Sequence, residues 1–442
     1  MTTVGLSARE AAAAIRAGEI SSQELVRDCL DRIAEFEPTV QAWAHLDRDY
    51  ALAQARTADD IRKSGGVTGP LHGVPVGVKD IFDTHDMPTE NGTVLHAGRT
   101  PMHDATAVAL LREAGAVILG KTVTTELAVF APGKTTNPHD IERTPGGSSS
   151  GSAAAVAAFM VPLAIGTQTN GSVIRPASFC GVIGFKPSHG LISRHGVLRQ
   201  SRHLDQIGVF ARTLDDAALI AEALVAYDEN DPDTRPRARP PLIETAASEP
   251  PVTPLLAFVK SPVWDRADES TQAAFEELVE HLGEAVAEVE LPPAFADAVD
   301  WHRTIVEADI AKSFAREYAI GRDRLSTILR EMIERGRSVL AIDYAHAVDG
   351  VEFLKRSLDE IFEGYDGFLS PATTGEAPVS LDSTGSPIFC TLWTLCGAPA
   401  ITLPVFQGPS GMPLGAQLAA PQGGDARLLR TAQWLVNRVN EK

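Results

Sequence analysis

The sequence predicts an α/β protein: a central mixed, largely parallel β-sheet covered by helices on both faces, with an N-terminal helical hairpin. Three observations carry that expectation. From Val74 to Val209, short β-branched runs alternate with Ala-rich stretches and Gly-rich turns, the rhythm of strands joined by crossover helices. The first 66 residues instead carry helix start and stop signals. The composition, 44% hydrophobic and 22% charged with 36 Gly and 29 Pro, provides a large core and many strand-to-helix turns.

Taken in order, Ser7 with Glu10 and Ser21 with Glu24 form two capping boxes, and Gly18 between them is a stop signal. Leu25, Cys29 and Ile33 recur every four residues and predict one buried helical stripe. A third helix is expected from about Asp47 to Lys63, ending at Gly65 and Gly66. Next come a strand at VPVGVKD (74–80), a helix at DATAVALLREAG (104–115), a strand at AVILG (116–120) and a helix at SAAAVAAFM (152–160). The stretch from Tyr227 to Pro254, rich in Pro and charge, reads as a surface connection with little regular structure. Strand and helix signals resume at LLAFV (255–259) and 267–282. Helices are expected near 298–317 and 343–363, then strands at GFLSPA (367–372) and PAITLPV (399–405).

A formal net charge of -19 opposes attraction to polyanions, so nucleic acid and anionic membrane are excluded as main partners. Cys29, Cys180, Cys390 and Cys396 have no metal-ligand spacing and are too sparse for a disulfide framework; they read as buried thiols in a reducing compartment. The start, MTTVGLSARE, lacks a basic region followed by an apolar stretch, and no apolar run reaches the ~18 residues a spanning helix needs. A cytoplasmic protein is therefore expected, and the sequons at Asn91 and Asn170 read as chance.

Three segments carry chemistry. PGGSSSGSAAAVAAF (145–159) is a glycine and serine loop running into a small-residue helix, whose first amides point into the loop. GTQTNGSVIRPASFCGVIGFKP (166–187) contains Thr169, Asn170 and Gly171, able to turn sharply and aim several amides at one point, as an oxyanion requires. GVPVGVKDIF (73–82) ends an apolar strand at Lys79, whose amine, if buried beside hydroxyls, is pushed toward the neutral form and can accept a proton. Each segment alone also fits a plain structural role: a helix-packing loop, a turn, and a lysine reaching the surface.

Together, in this order, they resemble the amidase signature family, whose members carry a strand Lys, a Gly-Gly-Ser-Ser loop and a Gly-Ser turn. The resemblance extends to GMPLGAQLAAP (411–421) and the final helix. It implies the amidase signature fold and a single domain over 1–442: a helical N-terminal part (1–66), a catalytic core (67–226), the surface connection (227–254) and a second half completing sheet and pocket (255–442). It also implies Lys79 as general base, Ser148 as a proton bridge preceded by a cis peptide, Ser172 as nucleophile, and the amides of Thr169, Asn170, Gly171 and Ser172 as oxyanion pocket, with no metal or organic cofactor. Gln168 stands where many members have an acid, Asn170 where they have glycine, and Arg175 follows the nucleophile by three residues instead of two.

The implied activity is hydrolysis of carboxamides through a serine acyl-enzyme, extending to esters, anilides or carbamates (a urethanase activity) that share the tetrahedral intermediate. A small-molecule amide-type substrate is the expected partner, with a homo-oligomer left open and the acyl pocket expected to include the 128–133 loop around Phe130. The alternative is a glutaminase-like subunit of an amidotransferase on the tRNA pathway; a third, an inactive scaffold, is opposed by the intact Lys79, Ser148 and Ser172. Two further signals fail on context. GAVILGKT (115–122) matches the phosphate-loop pattern, but AVIL is a strand by composition. GSSSG (147–151) lacks the apolar strand that a nucleophile elbow at Ser149 needs, and His85, His96 and His103 match no metal-ligand pattern.

Overall fold

Both capping boxes close in the computed structural model, which describes residues 3–441; residues 1, 2 and 442, the ends of the expected domain, lie outside the described residues. Ser7 Oγ accepts from the Glu10 amide at 3.1 Å while Glu10 accepts from the Ser7 amide at 2.8 Å, opening α1 (Ala8–Ala17). Gly18 ends that helix with φ at 77°, a left-handed turn that suits glycine. The second box opens α2 (Ser22–Val40), on which Leu25, Cys29 and Ile33 are all buried.

A strand, β1 (Trp43–Leu46), then interrupts the N-terminal segment that the sequence presents as helical. Four residues are too few to display alternation, and β1 exists because it pairs antiparallel with a distant strand. Asp47 caps α3 (Arg48–Lys63), its side chain accepting from the Tyr50 amide at 2.9 Å. There follow β2 (Pro75–Lys79), α4 (Thr106–Glu113), β3 (Val117–Thr122), α5 (Ser150–Ala157), β4 (Leu163–Gln168), α6 (Ile174–Cys180), β5 (Ile183–Lys186), β6 (Gln206–Ala211) and α7 (Leu214–Leu224). The second half supplies α8 (Leu242–Ala246), β7 (Leu256–Val259), α9 (Glu269–Leu282), β8 (Val286–Val289), α10 (Ala298–Ser313), α11 (Ala315–Gly321), α12 (Thr327–Gly336) and α13 (Ala341–Phe362). It closes with β9 (Gly367–Pro371), α14 (Ile388–Leu395), β10 (Ala400–Gln407), β11 (Pro413–Ala419) and α15 (Asp425–Asn440).

The strands form one 11-stranded mixed sheet flanked by helices, in the order β1-β3-β2-β4-β6-β5-β10-β11-β9-β7-β8. It is mixed, as expected, but not largely parallel: only β2–β3, β2–β4, β7–β8 and β7–β9 pair in parallel, and the other six pairings are antiparallel. The α6 crossover leaves a gap between β4 and β5 that β6 fills, antiparallel to both. A short turn joins β10 to β11 as a hairpin, which forces another antiparallel pair. Neither arrangement is visible as local periodicity.

The 227–254 segment is better anchored than its composition suggests. Its short helix α8 buries Leu242 and Ala246, and Asp228 and Asp231 are buried too. Asp231 forms an ion pair with Arg194 at 2.8 Å, while Asp228 accepts from Thr106 and Ser193. Elsewhere Gly151 lets α5 approach the β1–β3 edge: a Cβ there would lie 2.2 Å from the Ala42 carbonyl oxygen and 2.4 Å from the Val123 nitrogen. Among the described residues no helix is long and apolar enough to cross a membrane, and all four cysteines are free and buried.

Candidate active site

The carboxyl ends of β2 and β4 lie side by side because β4 pairs in parallel with β2, and such ends are where α/β sheets place their ligand crevice. Lys79, the last residue of β2, is fully buried and donates from Nζ to Ser148 Oγ at 2.7 Å and to Thr167 Oγ1 at 2.9 Å. Burial pushes its amine well below the ordinary lysine value, and the negative charge of Asp205 opposes that only in part. The adjacent Asp80 does not neutralise it, because Asp80 pairs with Lys121 of β3 at 3.2 Å.

Ser148 sits in a buried loop and follows a cis peptide from Gly147, as the resemblance implies. Arg175 holds that loop: its guanidinium donates to the Gly147 carbonyl at 2.7 Å and the Gly385 carbonyl at 2.8 Å. Arg175 is therefore a strut between α6 and the serine loop. Ser149 exchanges hydrogen bonds with the Thr167 backbone, which ties the start of α5 to β4.

Ser172 lies in the turn between β4 and α6 and borders a cavity of about 340 Å³. Gln168 shapes that turn by accepting from the Val173 and Ile174 amides at 2.8 and 3.0 Å and donating to Thr394 at 2.9 Å. The Thr169 carbonyl accepts from His302 at 2.9 Å, and the Asn170 carbonyl accepts from Thr394 at 2.5 Å. With those carbonyls engaged, the amides of Asn170, Gly171 and Ser172 have no hydrogen-bond partner among the described residues. The same is true of Ser172 Oγ, so the structure joins Lys79 to Ser148 and leaves Ser172 facing the cavity, unbonded to Ser148.

Several residues of the site were not singled out from the sequence: Thr167, Asp205, Gln200 and His302. Asp205 accepts from Thr169 Oγ1 at 2.7 Å and from the Gln200 and Ser201 amides at 2.8 and 3.0 Å. Burial raises its carboxyl to about 6. Gln200 fastens the 128–130 loop by donating to the Leu127 and Ala128 carbonyls, and Ala128, Val129 and Phe130 line the cavity. Burial holds the His302 imidazole at about 4, and it donates Nε2–H to Thr169 in the neutral form. The signal for Thr167 was available, since a hydroxyl near the carboxyl end of the apolar strand LAIGTQ stands at the crevice. Asp205 and His302 arrive from distant segments with no local signature.

The signals that fail on context also have a place in the fold. GAVILGKT folds into β3, with Lys121 buried and bonded to the carbonyls of Phe82 and Pro88. His85 pairs with Asp104 at 3.0 Å, and His96 bonds Asn91 and Glu317.

The model of the amidase family matches residues 24–429 of the sequence. The chain belongs to the amidase signature family. It is accordingly an amide-hydrolysing enzyme. This amidase is 36% identical to a glutamyl-tRNA(Gln) amidotransferase subunit from Acidothermus cellulolyticus, over 99% of the chain and 95% of that relative. Among solved structures it is similar to the peptide amidase of Stenotrophomonas maltophilia, with TM-score 0.87 and 29% identity over 100% of the chain and 98% of that protein. It is also similar to 6-aminohexanoate cyclic dimer hydrolase bound to its substrate, with TM-score 0.88 and 27% identity over 99% and 98%.

Proposed function

We propose that the enzyme cleaves small carboxamides through a serine acyl-enzyme, with Ser172 as nucleophile, Ser148 as proton bridge and Lys79 as base. The observation that carries this is the 2.7 Å contact between Lys79 Nζ and Ser148 Oγ in a site where the amine is buried without a carboxylate in contact. An amine held there favours its neutral form and can take a proton. On substrate binding the Ser172 hydroxyl engages Ser148, closing a link that apo geometry commonly leaves long. Lys79 then takes the Ser148 proton as Ser148 takes that of Ser172, and Ser172 Oγ attacks the carbonyl carbon.

The unpartnered amides of the 169–172 turn receive the developing oxyanion, a role worth roughly 3–4 kcal/mol per donor in comparable sites. The C–N bond breaks as the relay returns a proton to the leaving nitrogen, and water repeats the cycle on the acyl-enzyme. Esters, anilides and carbamates pass through the same intermediate and fall within the same reading. The relatives named as amidotransferase subunits favour a second reading, a glutaminase that works only with a partner chain. Assay of the purified chain alone on an amide, ester and carbamate panel, with Ser172→Ala beside it, tests both. Turnover by the isolated chain that vanishes in a folded Ser172→Ala variant is expected; retained turnover in the variant points to another nucleophile, and dependence on an added partner favours the second reading.

A further inference from the structure

Two helices wall the cavity beyond Ser172. Val299, Val306 and Ile310 recur on one face of α10, and Ile328 and Met332 on one face of α12, with Phe130 contributed by the 126–133 loop. Ile328 is 42% exposed, an apolar side chain at the cavity that is left half open among the described residues. Gly336 allows α12 to approach α10 closely, since a Cβ there would fall 1.9 Å from the Glu307 carbonyl oxygen.

Most charged groups of the cavity are already engaged, the exceptions being Glu331, an exposed carboxylate 4.0 Å from Arg335, and the unpartnered Nε of Arg175. Arg175 is fully buried and committed to two backbone carbonyls. Arg335 donates to Glu307 from Nε at 2.9 Å and from Nη2 at 2.8 Å, so cation and anion cancel. Arg303 pairs with Asp300, and His302 is neutral. Between α10 and α12 the side chains of Val306, Ile310, Ile328 and Met332 offer an α-carboxylate or α-ammonium no counter-charge, and desolvating either one unpaired is costly.

Resting on the serine acyl-enzyme reading above, we propose that this cavity selects carboxamides whose acyl part is an uncharged apolar chain or ring seated between α10 and α12, and disfavours glutamine-like amides bearing both charges. The specificity-determining residues are Val306, Ile310, Ile328 and Met332. A straight-chain acyl group entering the wall gains about fourfold in kcat/KM per methylene.

The test compares acetamide, butyramide, hexanamide and glutamine on the purified chain, on Ile328→Asp and on Ser172→Ala. Ile328→Asp lies at a partly exposed position and retains the fold. The expected result is hexanamide above acetamide by on the order of 100-fold, glutamine at or below acetamide, and a roughly tenfold fall in the hexanamide-to-acetamide ratio of kcat/KM for Ile328→Asp. A flat series, or glutamine as best substrate, with Ser172→Ala inactive overturns this inference and leaves the acyl-enzyme reading standing. Turnover surviving in Ser172→Ala removes the reading beneath it, and a wild-type chain that hydrolyses none of the four amides overturns both.

Discussion

Replacing Lys79 by Met keeps a side chain of similar length in a fully buried position while deleting the amine that donates to Ser148 and Thr167. Two consequences of opposite sign follow. The relay loses its proton acceptor, so kcat falls by roughly 10²–10⁴-fold. Stability at neutral pH rises, because unfolding no longer releases a desolvated amine to regain its proton in water. Lys79 is held well below 10.5 in the folded chain and returns to that value when unfolded. Within the window between those values the unfolded wild-type chain binds more protons than the folded one, so wild-type stability increases with pH by up to about 1.4 kcal/mol per unit. The Met variant lacks that slope, so its advantage shrinks as the pH rises through that window. Urea unfolding of both proteins at several pH values, alongside amide hydrolysis rates, measures it. A stability difference that stays flat with pH would mean the folded Lys79 keeps its ordinary protonation, and a near wild-type kcat would remove it as the base.

Other perturbations separate the supports of the site. Arg175→Lys cannot span the Gly147 and Gly385 carbonyls together, so kcat drops by roughly 10–100-fold with KM little changed; an unaltered kcat would deny it the strut role. Asp205→Asn removes the negative charge that partly supports the Lys79 ammonium, so above about pH 6, where Asp205 is ionised, the acidic limb of kcat/KM moves to lower pH. A limb that stays in place or moves upward contradicts this. Gly151→Ala forces a methyl against the Ala42 carbonyl and the Val123 amide and lowers stability by about 1–3 kcal/mol, read as a fall in the urea midpoint.

What the sequence discloses is what is encoded locally. The capping serines, the stripe of Leu25, Cys29 and Ile33, and the strand that ends in Lys79 all follow from residues within a turn or two of one another. The motif segments containing Lys79, Ser148 and Ser172 stand out because glycine and serine are concentrated where a backbone must turn tightly. What is missing depends on pairing across the chain. The insertion of β6 between β4 and β5, and hence the position of Asp205 just before it, is decided by a crossover elsewhere. His302 reaches Thr169 from a helix 133 residues away, and the apolar stripe of α10 reads the same whether it faces a core or a cavity. Gln168 and Arg175 stand out in the sequence as departures from the family pattern. Their function as braces for the Ser172 turn and the serine loop is visible only from their partners.

The most direct test of the acyl-enzyme mechanism is the position of the acyl group. Treating the purified chain with an activated carbamate or ester that deacylates slowly, then mapping peptides by mass spectrometry, locates the covalent bond. One adduct per chain is expected on the peptide bearing Ser172, lost in Ser172→Ala and formed much more slowly in Lys79→Met. An adduct on Ser148 or Ser149, or undiminished labelling of Ser172→Ala, contradicts that mechanism.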